Sequence, residues 1–269
     1  MRSFATLVPI SVNIALAALF AVVATAAASA AGLNDTGQTL CYDAANAAVA
    51  CSTTVGGDAG VNPRQDARYG RDAAAAASQL GKIGAGAAGF DFNKIANNGT
   101  TLAASATLGS AATDWACTKD NVTGLTWEVK TSAGLRSSAN TYTWYSTAVS
   151  NGGNVGVVGA NTCGGTLSAY ADQCNTQNYV AAVNAAALCG TSDWRLPSQR
   201  ELLTIVRAGA TSPSIDATYF PNTISNWHWT ASTYIARPTD ALVVFFNYGY
   251  SNADVKSSSG VVVRLVRGG

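Results

Sequence analysis

The chain has 269 residues, with 16 basic and 15 acidic side chains, so net charge gives no reason to expect steering towards DNA, RNA or heparin. A single histidine leaves little for base catalysis, and six cysteines make an even set for pairing.

Residues 1–30 carry Arg2 as their only charge, a long apolar stretch, and Ala28-Ser29-Ala30 at their end. This pattern predicts a secretory signal peptide cleaved after Ala30; a membrane anchor is the competing reading. No later segment is apolar enough to span a bilayer, so the mature chain is expected to be soluble, and loss of Arg2 leaves it formally neutral.

Residues 31–113 are rich in Ala, Gly, Asn and Thr and lack tryptophan, which predicts an N-terminal extension that buries little. Within it, "RDAAAAASQL" (71–80) predicts a helix ended by the glycines from Gly81 onward. "GAGAAG" (84–89) matches a dinucleotide fingerprint in letters only, because no buried strand precedes it.

All six tryptophans lie from Trp115 onward, so residues 114–269 are the expected packed domain. "GLTWEVK" (124–130) alternates Leu125, Trp127 and Val129 with polar residues, the period of a half-buried strand. "NTQNYVAAVNAAALCG" (175–190) predicts a helix capped at Thr176 and stopped at Gly190. In 193–209, Ser198 and Glu201 form an S-x-x-E capping box, Pro197 sets the helix start, and the helix is expected to end near Gly209. Strands are expected at 226–232, 241–246 and 261–266, the last two as central, doubly covered runs.

Six cysteines allow fifteen connectivities. Cys41 with Cys51 and Cys163 with Cys174 each flank a short loop, leaving Cys117 for Cys189. No CxxC occurs, so a metal site is not expected, and no cofactor is expected either. Catalysis would depend on His228, which lies between two tryptophans on a strand, or on unpaired carboxylates among Asp193, Glu201, Asp216, Asp240 and Asp254. The chain is therefore read as no enzyme, with a carboxylate-dependent hydrolase as the minor alternative.

"NVTGLTWEVKT" (121–131), "CNTQNYVAAVNAAALCGTSDWRLPSQREL" (174–202), "IDATYFPNT" (215–223) and "VVVRLVRGG" (261–269) together resemble the C-terminal domain family of the Legionella collagen-like adhesin. The resemblance covers roughly 115–269 and implies an α+β, C-type-lectin-like domain: a small twisted antiparallel sheet, two helices and long loops. It also implies binding of sulfated polysaccharide and attachment to surfaces. "WRLP" is similar to an element of formylglycine-generating enzymes, whose cysteine and metal chemistry has no counterpart here. Trp127, Trp194, Arg195, Leu196, Pro197, Glu201, Tyr219, Phe220, Arg264 and Arg267 match the family pattern and read as mostly structural. Leu242 departs from it, standing where the family usually has tryptophan.

The closing stretch "NYGYSNADVKSSSG" (247–260) mixes Tyr with Ser and Asn between two apolar runs, read as neighbouring strands with this stretch as an exposed loop or strand extension. Tyr supplies rigid contact area and Ser or Asn adaptable hydrogen bonding. Tyr248 and Tyr250 are expected on one side, with Asn252, Lys256 and the nearby Tyr234 and Arg237 completing a ligand-binding patch. An anionic ligand would need Arg237, Lys256, Arg264 and Arg267 to supply local charge. The expected function is an exported, secreted or surface-held binding or adhesion protein, with the periplasm as another location. Its ligand is an extracellular glycan or protein rather than nucleic acid, and it could form a homo-oligomer. Alternatives are a structural component of the cell surface and a hypervariable binder diversified by a retroelement.

Overall fold

The computed structural model describes residues 34–60 and 62–268; the expected leader at 1–30 lies outside the described residues. In chain order the elements are β1 (Cys41–Tyr42), β2 (Ala48–Val49), α1 (Gly70–Ala76), β3 (Phe92–Ala96), β4 (Thr101–Leu102), β5 (Trp115–Asp120) and β6 (Thr126–Glu128). They continue with α2 (Thr176–Ala185), α3 (Gln199–Leu203), β7 (Trp227–Thr233), β8 (Asp240–Phe245), β9 (Tyr250–Val255) and β10 (Val266–Arg267). The protein is mixed α+β: an antiparallel sheet of order β10-β6-β5-β3-β4, a second of order β7-β8-β9, and the small pair β1-β2. Among the described residues no helix is long and apolar enough to cross a membrane.

The main sheet crosses the expected boundary at residue 113. Strand β3 pairs along its length with β5, from Phe92 opposite Asp120 to Ala96 opposite Trp115. Phe90 and Phe92 are buried, and the Phe92 ring meets Phe220 edge-on at 5.2 Å. The expectation that residues 31–113 bury little therefore fails for 90–96, where "FDFNKIA" supplies core to an otherwise small-residue segment. Buried Asp91 ties this segment down, accepting from the amides of Ile83 and Gly84 at 2.8 and 2.7 Å.

Two apolar clusters fill the interior. One holds Trp144, Trp194, Trp229 and Val243; the other holds Phe90, Trp127, Phe220, Val244 and Phe246. Successive residues Val243 and Val244 serve different clusters, as a strand covered on both faces requires. All three expected disulfides are present, Cys41–Cys51, Cys117–Cys189 and Cys163–Cys174.

Several local expectations need correction. Helix α1 stops at Ala76, before the glycines, where Ser78 takes a positive φ. The cap of α2 is Asn175, whose side chain accepts from the Asn178 amide at 2.9 Å; the helix ends at Ala185, ahead of a left-handed Ala187. The Ser198–Glu201 capping box is formed, but α3 is one short turn rather than a helix reaching Gly209. Strand β6 is not half-buried: Thr126, Glu128 and Lys130 are as buried as Leu125, Trp127 and Val129. The closing run is not a central strand. Val261 and Val262 make single bridges to Tyr142 and His228, and only Val266–Arg267 pairs as a strand, with β6. Besides β7, the neighbour of β8 is instead β9, built from the polar stretch read as a loop or strand extension. On this edge strand, the Asn252 and Asp254 side chains accept from the amides of Ala253 and Val255 at 2.9 and 2.8 Å.

Candidate functional site

The register of the second sheet sets three aromatic residues in a row. Trp227 pairs with Phe245, and Phe245 pairs with Tyr250. Directly opposite residues share a face, so the rings meet: Trp227 stacks on Phe245 at 4.4 Å, and Tyr250 stands edge-on to Trp227 at 5.5 Å. Tyr248 joins from the turn, 6.1 Å from Phe245. The same face runs inward to Trp229 and Val243, both buried, so the row is the outer end of a core face. Tyr248 is 64% exposed and Tyr250 48%, while Trp227 and Phe245 are half-buried.

The turn between β8 and β9 is held from below. Phe246 is buried and its ring meets His228 at 4.6 Å. The Ser214 amide donates to the Phe246 carbonyl at 2.6 Å and the Ser212 amide to the Asn247 carbonyl at 3.0 Å. Gly249 has φ +78°, and a Cβ there would meet Val206 Cγ1 at 2.5 Å, so this close approach requires glycine. With the backbone fixed on both sides, Tyr248 and Tyr250 are presented rather than left to wander.

The other expected ligand residues lie elsewhere. Ser251 and Ala253 alternate with Tyr250 and Asn252, so they face the opposite side of β9. There they line a shallow cleft of about 220 Å³ with Gln199, Tyr234 and Arg237, and Asn252, between them in the strand, borders it. Gln199 Nε2 donates to Ser251 Oγ at 2.8 Å. Arg237 sits over the Tyr234 ring at 5.5 Å and is paired with Asp240 at 2.9 Å. Tyr234 and Arg237 are thus brought together, apart from Tyr248 and Tyr250, while Asn252 borders their cleft from the Tyr250 side of β9.

Lys256 does not belong to any surface patch. It is buried, its Nζ lies 4.0 Å from the Trp144 ring centre, and it donates to the carbonyls of Asn151 and Asn154 at 2.8 and 2.6 Å. Burial pushes its ammonium below the usual lysine range. Arg264 is also buried, donating to the Glu128 carbonyl and Thr223 Oγ1, each at 2.6 Å. Arg267 pairs with Asp193 at 2.7 Å. The four cations considered as an anion-attracting patch are therefore dispersed, two of them inside the protein.

Beneath the main sheet, Glu128 Oε1 accepts from Lys130 Nζ at 3.0 Å and from the Tyr179 hydroxyl, and Oε2 accepts from the Leu265 amide at 3.0 Å. Burial raises the Glu128 carboxyl, but Lys130 and these hydrogen bonds outweigh it and hold the group below its usual range. Sequence reasoning missed this centre, because alternation assigned Glu128 and Lys130 to an outer face.

The residues read as structural lie in the interior or in paired contacts. Arg195 grips Glu201 through both Nη atoms, at 2.9 and 2.6 Å, and Trp194 Nε1 donates to the Leu188 carbonyl at 2.9 Å. Trp127 is fully buried, and the Pro197 carbonyl accepts from the Ala231 amide at 2.7 Å, joining the start of α3 to β7.

The groups considered for catalysis are already engaged. His228 is buried; its Nδ1 lies 3.0 Å from the Asn226 carbonyl and must donate to it, and burial with nearby Arg264 pushes its pKa down to about 3. Asp216 accepts from the amides of Ala87 and Thr218 at 2.8 and 3.0 Å, while Asp193, Glu201 and Asp240 are each paired with an arginine. Among the described residues, only Asp35, Asp66 and Asp72 form a carboxylate cluster, within 4.8 Å. Asp72 already accepts from the amides of Gly37 and Gly89, at 2.7 and 2.6 Å. That cluster ties the N-terminal segment together.

No curated protein and no solved structure matches this chain. Residues 116–267, more than half of the chain, match the family described as the Lcl C-terminal domain, and the chain belongs to that family.

Proposed function

We propose that the protein is an exported, non-catalytic binding protein that engages an extracellular ligand through the aromatic row at the β8–β9 turn. The family suggests a surface or adhesin-like protein, and three disulfides agree with an oxidising compartment. A C-type-lectin-like arrangement is the expectation carried by the family, and two small antiparallel sheets with long loops are compatible with it.

The observation that carries the reading is the set of four adjoining rings, Trp227, Phe245, Tyr248 and Tyr250, the last two open to solvent on a backbone that leaves them little freedom. Aromatic faces that need little ordering bind saccharide C–H faces or apolar protein side chains at low entropic cost. With the candidate cations dispersed, the site favours a neutral glycan or protein epitope over a sulfated chain.

The test is a glycan and matrix-protein array probed with the exported protein, with a Tyr248→Ala/Tyr250→Ala form and with an Arg237→Ala/Asn252→Ala form. Loss in the first alone supports the aromatic row. Loss in the second alone moves binding to the cleft beside α3. Signal from neither folded variant nor wild type, on neutral and sulfated ligands, sinks the binding role and favours assembly.

A further inference from the structure

We propose a second binding site, for a small carboxylate-bearing molecule of acidic-monosaccharide size, in the cleft where the segment before the family domain meets the end of α2. The cleft has a volume of about 710 Å³. One wall, with Asn97, Leu108 and Ser110, precedes the family match; the other, with Thr131, Arg136 and Leu188, lies inside it. Its selectivity is thus a property of this chain and its preceding segment together.

Arg136 identifies the ligand chemistry. Its Nη1 donates to the carbonyls of Ala116 and Val129, at 2.9 and 2.7 Å, which uses both hydrogens of that nitrogen and fixes the guanidinium plane. Among the described residues, Nε and Nη2 have no hydrogen-bond partner, and no aspartate or glutamate lines the cleft. A half-buried guanidinium held at one nitrogen, with the remaining donors free, fits the two oxygens of a planar carboxylate. Leu108, Leu135 and Val183 offer apolar contact, and the hydroxyls of Ser110 and Ser132 offer hydrogen bonds, which suits a sugar ring. The site is also held in shape: the Cys117–Cys189 bridge lies next in sequence to both Ala116 and Leu188.

Calorimetric titration of the exported, disulfide-bonded protein with sodium glucuronate, glucose and sodium sulfate tests this. The expected result is saturable glucuronate binding, preferred over glucose by about 10- to 100-fold, the range for one charge-assisted hydrogen-bond pair. Arg136→Gln, which keeps a two-hydrogen donor, should abolish that preference. Ala186→Trp, at an exposed position in the cleft wall, should block glucuronate while leaving Arg136 and the melting temperature unchanged. Equal binding of glucuronate and glucose, binding that survives Ala186→Trp, or no glucuronate binding by the folded wild type would each overturn the proposal. Sulfate binding as tight as glucuronate would overturn the planar-carboxylate assignment. The aromatic row plays no part, so Tyr248→Ala/Tyr250→Ala should titrate as wild type, which separates failure here from failure there.

Discussion

Tyr179 and Tyr250 show two opposite uses of the same side chain. Tyr179 is buried beside Tyr142, their rings 4.7 Å apart, with its hydroxyl donated to Glu128 and burial raising its pKa well above the usual value. Tyr250 stands at the outer end of an aromatic row, half in solvent. Around Tyr179 the Glu128–Lys130 pair is shut away from solvent; around Tyr250 about half of the side chain stays open. Burial, more than residue type, separates the group that holds the fold from the group that can meet a ligand.

The strongest way to break this contrast is to open the closed side. Glu128→Ala leaves Lys130 and Arg264 buried without their counter-charge, and the expected loss is about 3–5 kcal/mol, read as a shift in denaturant midpoint with disulfides intact. Replacing Cys117 and Cys189 together by serine frees a loop of sequence separation 72 and is expected to cost about 2–5 kcal/mol by the same measurement. If Glu128→Ala instead costs less than a surface change, the buried centre is not what holds this side of the sheet.

Acid sharpens the comparison further. His228 has its pKa lowered to about 3 in the native state, whereas in the unfolded chain it titrates near its ordinary 6.5. As pH falls through about 6.5 the unfolded state takes up a proton that the native state refuses, so stability contributed by neutral His228 declines from there towards about 3. A pH series of urea midpoints should show a shallower decline for His228→Gln than for wild type.

At the open side the effects move from stability to binding. Gly249→Ala forces a Cβ against Val206 at a positive φ, with an expected cost of about 1–3 kcal/mol and displacement of Tyr248, detectable as weaker ligand capture. Tyr248→Ala/Tyr250→Ala should change stability by about 0.5 kcal/mol or less per site while removing ligand capture. A large stability loss in that double variant would mean the row is core rather than site.

Some of this was legible in the residues alone. Two disulfide pairs followed from short loops, and the Ser198–Glu201 box from its spacing, because both depend on near neighbours in sequence; Cys117–Cys189 was what remained. The exposed Tyr pair followed from composition. Strand β3 was missed because "FDFNKIA" is a short apolar run in a small-residue segment, although the Asn98-Gly99 turn that joins it to β4 is a hairpin signal. Strand β9 was left open between loop and strand extension because "YSNADV" has few β-branched residues; pairing with β8 overrides its weak propensity. Lys256 looked like a surface charge, and only the loop at 151–154, about a hundred residues earlier, supplies the carbonyls that bury it.

The self-capped amides of β9 bear on how the protein behaves in numbers. Outward amides on an edge strand are templates on which another chain can add a strand. Here Asn252 and Asp254 turn their own oxygens onto the amides of Ala253 and Val255, so an incoming strand finds those donors already taken. Many copies crowded at one surface could then keep their aromatic rows separate, without merging edge to edge into aggregates.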